Sequence, residues 1–163
     1  MTAAAPLARI VLYVETNEKG LDAARYAIAL AKRYGADLHA IAVMNDKVLT
    51  ELMHARVFLK EEGLDIERDL EEDAKRYLAF VEKLAGQKDL RIATHLLRGD
   101  VHQEVLAKAR ELQASLLVIG EIEEFLSRRD CTFSESEQII TTAECPVLVV
   151  KGKRFVKDCF DAV

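Results

Sequence analysis

The feature that most constrains the fold is a regular alternation of short apolar runs with longer amphipathic stretches. The five apolar runs are Arg9–Glu15, Leu38–Met44, Arg91–Leu97, Ser115–Ile119 and Val147–Val150. Short runs rich in Val, Ile and Leu are typical of strands that are buried on both faces, as in parallel sheets. Because helical stretches separate the strands, the sequence predicts a parallel sheet covered by helices on both sides, a three-layer α/β sandwich.

The stretches between the first three strands show helical spacing of their apolar residues. Leu21–Tyr34 is expected to form a helix that Gly35 ends, since glycine readily adopts the left-handed conformation that follows a helix. The charged region 45–84 is also expected to be helical, and Gly63 is predicted to divide it into two helices.

Two later helices are predicted to begin with capping boxes, in which paired side chains satisfy the amides of the first turn. Asp100 with Gln103 is expected to open a helix that ends at Leu112. Ser134 with Glu137 is expected to open another before the fifth strand.

Length and charge limit the classes of function. The chain has 163 residues, which suits one domain over 1–151 with a tail over 152–163. Phe155, Val156 and Phe160 make the tail apolar, so it is expected to dock on the domain or on a dimer partner. With 23 basic and 28 acidic residues, the net charge of −5 argues against nucleic-acid binding.

Targeting and redox signals favour a reduced compartment. The first residues lack the basic region of a signal peptide, and no stretch has the roughly 18–20 apolar residues of a membrane span. Cys131, Cys145 and Cys159 are odd in number and show no CxxC spacing, which favours free thiols. The expected location is cytoplasmic, without a membrane partner.

Four segments resemble the universal stress protein family, in the family's order and over nearly the whole chain. They read VLYVE, LAKRYGADLHAIAV, RGDVHQEVLAKARELQASLLVIG and ECPVLVVK. The resemblance implies a five-stranded parallel sheet in the order 3-2-1-4-5, of the adenine nucleotide alpha hydrolase-like type, and a role in stress tolerance. It also implies a homodimer through the last strand, whose residues are Val147, Leu148, Val149 and Val150.

One motif separates the family members that bind ATP, namely G-x-x-G-x9-G-[S/T] after the fourth strand. In this sequence the motif begins at Gly120, but Glu123 and Phe133 stand where the second and third glycines belong. A carboxylate repels phosphate, and a bulky side chain occupies a position where bare backbone is needed. The resemblance therefore implies a degenerate nucleotide site that does not bind ATP in the family's way, composed of Glu15, Val43, Gly99, Gly120, Glu123, Phe133 and Ser134.

Several of these residues have two interpretations. Ser134 is either a remnant phosphate contact or only the cap of its helix, and Gly120 is either a relic of a ligand site or a tight turn. The acidic residues Glu121, Glu123 and Glu124 are either a solvated loop or a built-in mimic of phosphate at the amino end of the following helix.

The sequence offers no catalytic or metal-binding pattern. It has no GxSxG elbow and no Ser–His–Asp order. His95 and His102 flank a strand end and are expected to approach each other, but without a nearby cysteine no metal site is predicted. Cys131, beside Arg128 and Arg129, is either an oxidant sensor or a tolerated cysteine.

Three functions compete at this point. The favoured one is a dimeric stress-response protein that acts through protein partners, with no cofactor and no enzymatic activity. The alternative is a sensor of ATP or AMP in which Glu15 contacts the base. An enzyme on the same fold ranks last, because the sequence offers neither a general base nor a phosphate loop.

Overall fold

The structure is a computed structural model that describes residues 6–55, 60–122 and 134–163. Its strands are β1 (Arg9–Tyr13), β2 (Asp37–Asn45), β3 (Ile92–Gly99), β4 (Leu116–Gly120) and β5 (Val147–Val150). Its helices are α1 (Glu18–Tyr34), α2 (Asp46–Ala55), α3 (Lys60–Gly86), α4 (Val101–Glu111), α5 (Glu135–Thr142) and α6 (Lys153–Asp161).

The strands form one parallel sheet in the order β3-β2-β1-β4-β5, as predicted. Consecutive side chains of a strand point to opposite faces, so β1 supplies both halves of the core. Ile10 and Leu12 pack in a cluster with residues of α1, α3 and α6. Val11 and Tyr13 pack in a second cluster with residues of α4 and α5. The three-layer sandwich is thus confirmed.

The helix predictions were right about existence and less accurate about ends. Helix α1 begins before Leu21, because the Asn17 side chain accepts a hydrogen bond of 2.8 Å from the Gly20 amide and caps the helix. It ends at Gly35, as predicted. Gly63 does not divide the charged region but lies inside α3. A glycine within a helix costs only about 1 kcal/mol relative to alanine, which the flanking turns of this long helix tolerate.

Asp100 stands at the amino end of α4, but the predicted capping box is absent. Its carboxylate makes no side-chain cap hydrogen bond to the helix. Other groups contact the carboxylate instead, since Lys47, at the start of α2, forms a close ion pair with Asp100 Oδ2 and His102 Nδ1 lies 2.6 Å from Oδ1.

Helix α6 packs against α1. Val156 and Phe160 are buried in the core, whereas Phe155 is exposed and lies near the ring of Tyr26. The Lys88 ammonium lies 4.6 Å from the centre of the Phe160 ring, a cation–π contact. Val156 and Phe160 of the tail therefore belong to the core of this chain, whereas Phe155 lies at its surface.

Candidate functional site

A cavity of about 600 Å³ lies where β1 and β2 end. Residues that follow β4, residues of α2 and α3, and residues at the amino ends of α4 and α5 complete its described wall. In open α/β sheets, ligands bind at the carboxyl ends of the strands, where the strand order reverses. Here the reversal falls between β1 and β4, so the cavity is the candidate site.

The structure brings some of the predicted site residues to this cavity. Glu15, Val43 and Ser134 line it, and so does Glu121 of the acidic loop. The other two members of that loop, Glu123 and Glu124, lie outside the described residues, as do Phe133, Arg128, Arg129 and Cys131.

The two remaining predicted residues, Gly99 and Gly120, have structural reasons to be glycine. Gly99 has φ +143°, a backbone conformation that residues with a side chain rarely adopt. A Cβ at Gly120 would lie 3.0 Å from the backbone oxygen of Lys19. Gly120 thus lets the first turn of α1 approach the end of β4, whether or not a ligand is bound.

Glu15 connects the end of β1 to its surroundings through both carboxylate oxygens. Oε2 accepts a hydrogen bond of 3.0 Å from Asn17 Nδ2. Oε1 accepts one of 3.3 Å from the Ser136 hydroxyl at the start of α5. The side chains of Asn17, after β1, and Ser136, in α5, therefore hold the carboxylate at the cavity wall.

Ser134 is the N-cap of α5, and the predicted capping box is confirmed. The Glu137 amide donates to Ser134 Oγ at 3.1 Å, and the Ser134 amide donates to Glu137 Oε2 at 2.9 Å. The oxygen of the hydroxyl proposed as a remnant phosphate contact therefore accepts a hydrogen bond within its own helix, as an N-cap does.

Glu135, the next residue, reaches across to α4. Its Oε2 accepts a hydrogen bond of 2.9 Å from the His102 amide and lies 2.8 Å from His102 Nδ1. His102 Nδ1 also lies 2.6 Å from Asp100 Oδ1. On the outer side, Lys47 Nζ pairs with Asp100 Oδ2 and lies 3.7 Å from Glu135 Oε1. We call Lys47, Asp100, His102 and Glu135 the α4–α5 cluster.

The ion pairs of the α4–α5 cluster shift two pKa values in opposite directions. The hydrogen bond from Lys47 is the main cause that lowers the pKa of Asp100. The same bond is the main cause that raises the pKa of Lys47. Both groups are therefore charged at neutral pH.

The described wall of the cavity carries negative charge. Its charged lining residues, among those that the structure describes, are Glu15, Asp73, Glu121 and Glu135. Tyr13 lies at the cavity wall, and its pKa is raised first by burial and then by the carboxylates of Glu15 and Glu135. The tyrosine is thus a neutral hydroxyl in an electronegative setting.

The histidines pair differently from the sequence prediction. His95 on β3 lies beside His39 on β2, with 3.1 Å between His95 Nε2 and His39 Nδ1 and 5.4 Å between the ring centres. His102 instead contacts the two carboxylates described above. No short-range pattern in the sequence signals the contact of His39 with His95 or that of His102 with Glu135, because each joins residues from different elements.

The structure also bears on the predictions about the cysteines and about membrane spans. Cys145 is half-buried, and burial raises the pKa of its thiol, which disfavours the reactive thiolate. Within residues 6–55, 60–122 and 134–163, no helix has the length and apolar character needed to cross a membrane.

Comparison with known proteins identifies relatives over most of the chain. The model of the Universal stress protein family matches residues 7–151. Universal stress protein MJ0531 of Methanocaldococcus jannaschii is 32% identical over 145 residues, which are 88% of this chain and 81% of that protein.

Solved structures of low sequence identity share the fold. A universal stress family protein from Burkholderia pseudomallei has a TM-score of 0.69 and 20% identity, covering 92% of this chain and 100% of that one. The universal stress protein of Archaeoglobus fulgidus in complex with dAMP has a TM-score of 0.60 and 17% identity, covering 89% and 98%.

Proposed function

The chain belongs to the universal stress protein family, and on this premise we propose that it is a dimeric stress-response protein that acts through protein partners and does not bind ATP in the family's way. The charge of the cavity carries the proposal. Carboxylates of Glu15, Asp73, Glu121 and Glu135 line it, and its described wall includes no lysine or arginine.

A polyphosphate in this cavity would meet like charge. In a partly enclosed site the repulsion is screened less than in open solvent. The sequence acts in the same direction, since Glu123 and Phe133 replace two of the three motif glycines.

Phosphate usually binds at the amino ends of helices. At α4 and α5, side chains of this chain already make hydrogen bonds with amides there. At α5 the Ser134 hydroxyl and amide are both engaged in the capping box. At α4 the His102 amide donates to Glu135. A phosphate would have to displace these contacts before it could use the amides of Ser134, Glu137 or His102.

Isothermal titration of the nucleotide-stripped protein with ATP and Mg²⁺ tests the proposal. We expect no binding heat for the wild type and measurable binding after Glu123→Gly with Phe133→Gly. Glu123→Gln with Phe133 retained is the matched control, because it removes the charge and leaves the bulky side chain. Micromolar binding of ATP to the wild type would refute the proposal.

The dimer part of the proposal rests on the open edge of β5. Strand β5 is an edge strand of the sheet and pairs only with β4 among the described strands. Leu117 N donates to Pro146 O, and Leu117 pairs with Val147. In a parallel ladder this register turns the backbone groups of Val147 and Val149 away from β4. Exposed edge groups of this kind are usually covered in native proteins.

A proline in β5 tests whether the dimer forms by pairing of β5 strands from two copies or through other surfaces. Val149→Pro removes an amide that faces outward and leaves the ladder to β4 in place. We expect sedimentation to show a dimer for the wild type and a monomer for Val149→Pro. Val149→Thr is the control, since it keeps the amide and the β-branched shape. A dimer that survives Val149→Pro would exclude pairing through β5.

The alternative is an adenine-nucleotide sensor that accepts a monophosphate. A relative solved with dAMP and another solved with cAMP favour this alternative, and the cavity volume of about 600 Å³ suits a small ligand. A ligand that binds only the folded state raises its melting temperature. A rise with AMP or cAMP, but not with ATP, would favour the sensor over the interaction protein.

A further inference from the structure

The inner side of the α4–α5 cluster gathers three metal-ligating atoms. Asp100 Oδ1, His102 Nδ1 and Glu135 Oε2 all lie within 4.8 Å of one another. Their side chains are only 19%, 17% and 27% exposed. We propose that these three residues bind a divalent transition-metal ion of the zinc class at the junction of α4 and α5.

An unsatisfied oxygen points to a ligand at this place. Asp100 Oδ1 is buried and makes no hydrogen bond, although His102 Nδ1 lies only 2.6 Å away. A neutral imidazole has one N–H, and at Nδ1 that hydrogen serves Glu135 or Asp100, but not both well. Buried polar atoms normally have a partner. A cation between the three atoms would satisfy both carboxylates and use the lone pair of the imidazole.

The donor set selects the type of ion. One imidazole nitrogen with two carboxylate oxygens suits Zn²⁺ and its neighbours, whereas Mg²⁺ and Ca²⁺ prefer oxygen ligands alone. At metal–ligand distances of about 2.0–2.2 Å in a tetrahedron, donor atoms are about 3.3–3.6 Å apart. The present 2.6 and 2.8 Å separations would widen by rotation of the two carboxylates. Three protein ligands leave one position for water.

The surrounding groups hold the ligands in place. The His102 amide donates to Glu135 Oε2, and an oxygen with two lone pairs can accept this bond and bind a metal. Lys47 contacts the outer oxygens of the two carboxylates, Asp100 Oδ2 and Glu135 Oε1. Its positive charge repels a cation bound to the same carboxylates, so its removal is expected to tighten binding.

A hydrogen-bonded bridge between α4 and α5 is the competing interpretation. It would need the same residues for stability, but it would give them no role in metal affinity. The two interpretations therefore separate when binding of Zn²⁺ is measured on variants that remain folded. The inference does not depend on the proposed function, because its measurement contains no nucleotide and no dimer readout.

The test is calorimetric titration of the metal-stripped full chain with ZnCl₂, with folding checked by circular dichroism. We expect one equivalent to bind. His102→Gln and Glu135→Gln keep hydrogen-bonding capacity and are each expected to lower the affinity by at least about tenfold, as loss of a ligand should exceed loss of an outer partner. Lys47→Met is expected to raise the affinity.

Two histidine controls locate the site. His54→Gln removes an exposed histidine of α2 and should leave the affinity unchanged. His39→Gln with His95→Gln removes the other histidine pair, and it should also leave the first equivalent unchanged. Absence of zinc binding would overturn the proposal. So would an affinity that His102→Gln and Glu135→Gln do not alter, or one that only the His39 and His95 variants abolish.

Discussion

The two ends of helix α4 place histidine in opposite surroundings. At the amino end, His102 lies between the carboxylates of Asp100 and Glu135. Toward the carboxyl end, His39 and His95 of the adjoining strands face each other, and burial first and then Lys108 of α4 lower the pKa of both. One end gathers negative charge around an imidazole, and the other places two imidazoles side by side.

The difference follows from the helix and the sheet. The amino end of a helix has a partial positive charge and unpaired amides, so it attracts carboxylates, here one from a different helix. The histidine pair follows from strand register. Ile41 pairs with His95, so His39, two residues earlier on the same face, is its diagonal neighbour. A residue type alone thus predicts little about its chemistry.

The largest expected loss of stability is for a substitution at Gly99, in the turn that leads into the amino end of α4. Gly99→Ala would force a side chain into a conformation with φ +143° and place its Cβ 3.0 Å from Glu104 Oε1. Strained backbone of this kind costs about 1–3 kcal/mol. We expect the free energy of unfolding, measured with denaturant, to fall by about 2–3 kcal/mol.

The matched control is Gly86→Ala at the end of α3. Gly86 has open space around the position of an added Cβ. Alanine is favoured over glycine in a helix by about 0.5–1 kcal/mol, so this variant should be as stable as the wild type or more so. Equal losses at Gly99 and Gly86 would contradict the argument from backbone conformation.

A smaller loss of stability is expected at the amino end of α5, where Ser134 is the N-cap. Ser134→Ala removes the acceptor of the Glu137 amide. Loss of such a cap typically costs about 1 kcal/mol. Ser134→Thr keeps a hydroxyl and should retain most of the stability in the same denaturant titration. If alanine and threonine were equivalent here, the capping box would not be the source of the stability.

These two helix starts show what the sequence could predict. The Ser134 box is local, since both partners lie within one turn, and the sequence identified it correctly. The similar pattern at Asp100 gives no cap, because Lys47 from a distant part of the chain pairs with one carboxylate oxygen and His102 lies against the other. Short-range patterns fail where a long-range partner competes for the same group.

The same division applies to the fold and the candidate site. The five strands were predictable because their continuous apolar runs reflect burial on both faces, and β5 was found with its bounds unchanged. The α4–α5 cluster was missed because Glu135 and Lys47 carry no local signal. The sequence prediction also took cysteine as the partner of histidine at a metal site, whereas the residues beside His102 are the carboxylates of Asp100 and Glu135.

The smallest expected effect is a change in the pH dependence of stability, and it arises from the pair His39 and His95. Burial is the first cause that lowers the pKa of His39 and of His95, and His39 lowers that of His95 further. Asp37 opposes the shift at His39, and Glu111 opposes it at His95. Because each pKa is lower in the folded chain, the unfolded chain binds protons first as the pH falls below about 6.5.

Stability should therefore be unaffected by the pair above pH 6.5 and should decline below it, until the folded pKa values are passed. His39→Gln with His95→Gln removes this contribution, so its free energy of unfolding should fall less between pH 7 and pH 5 than that of the wild type. The difference should be smaller than the loss of the Ser134 cap, because the two rings are partly exposed to solvent. His54→Gln is the control. Parallel pH profiles for the wild type and the double variant would show that the protonation of the two rings is not linked to folding.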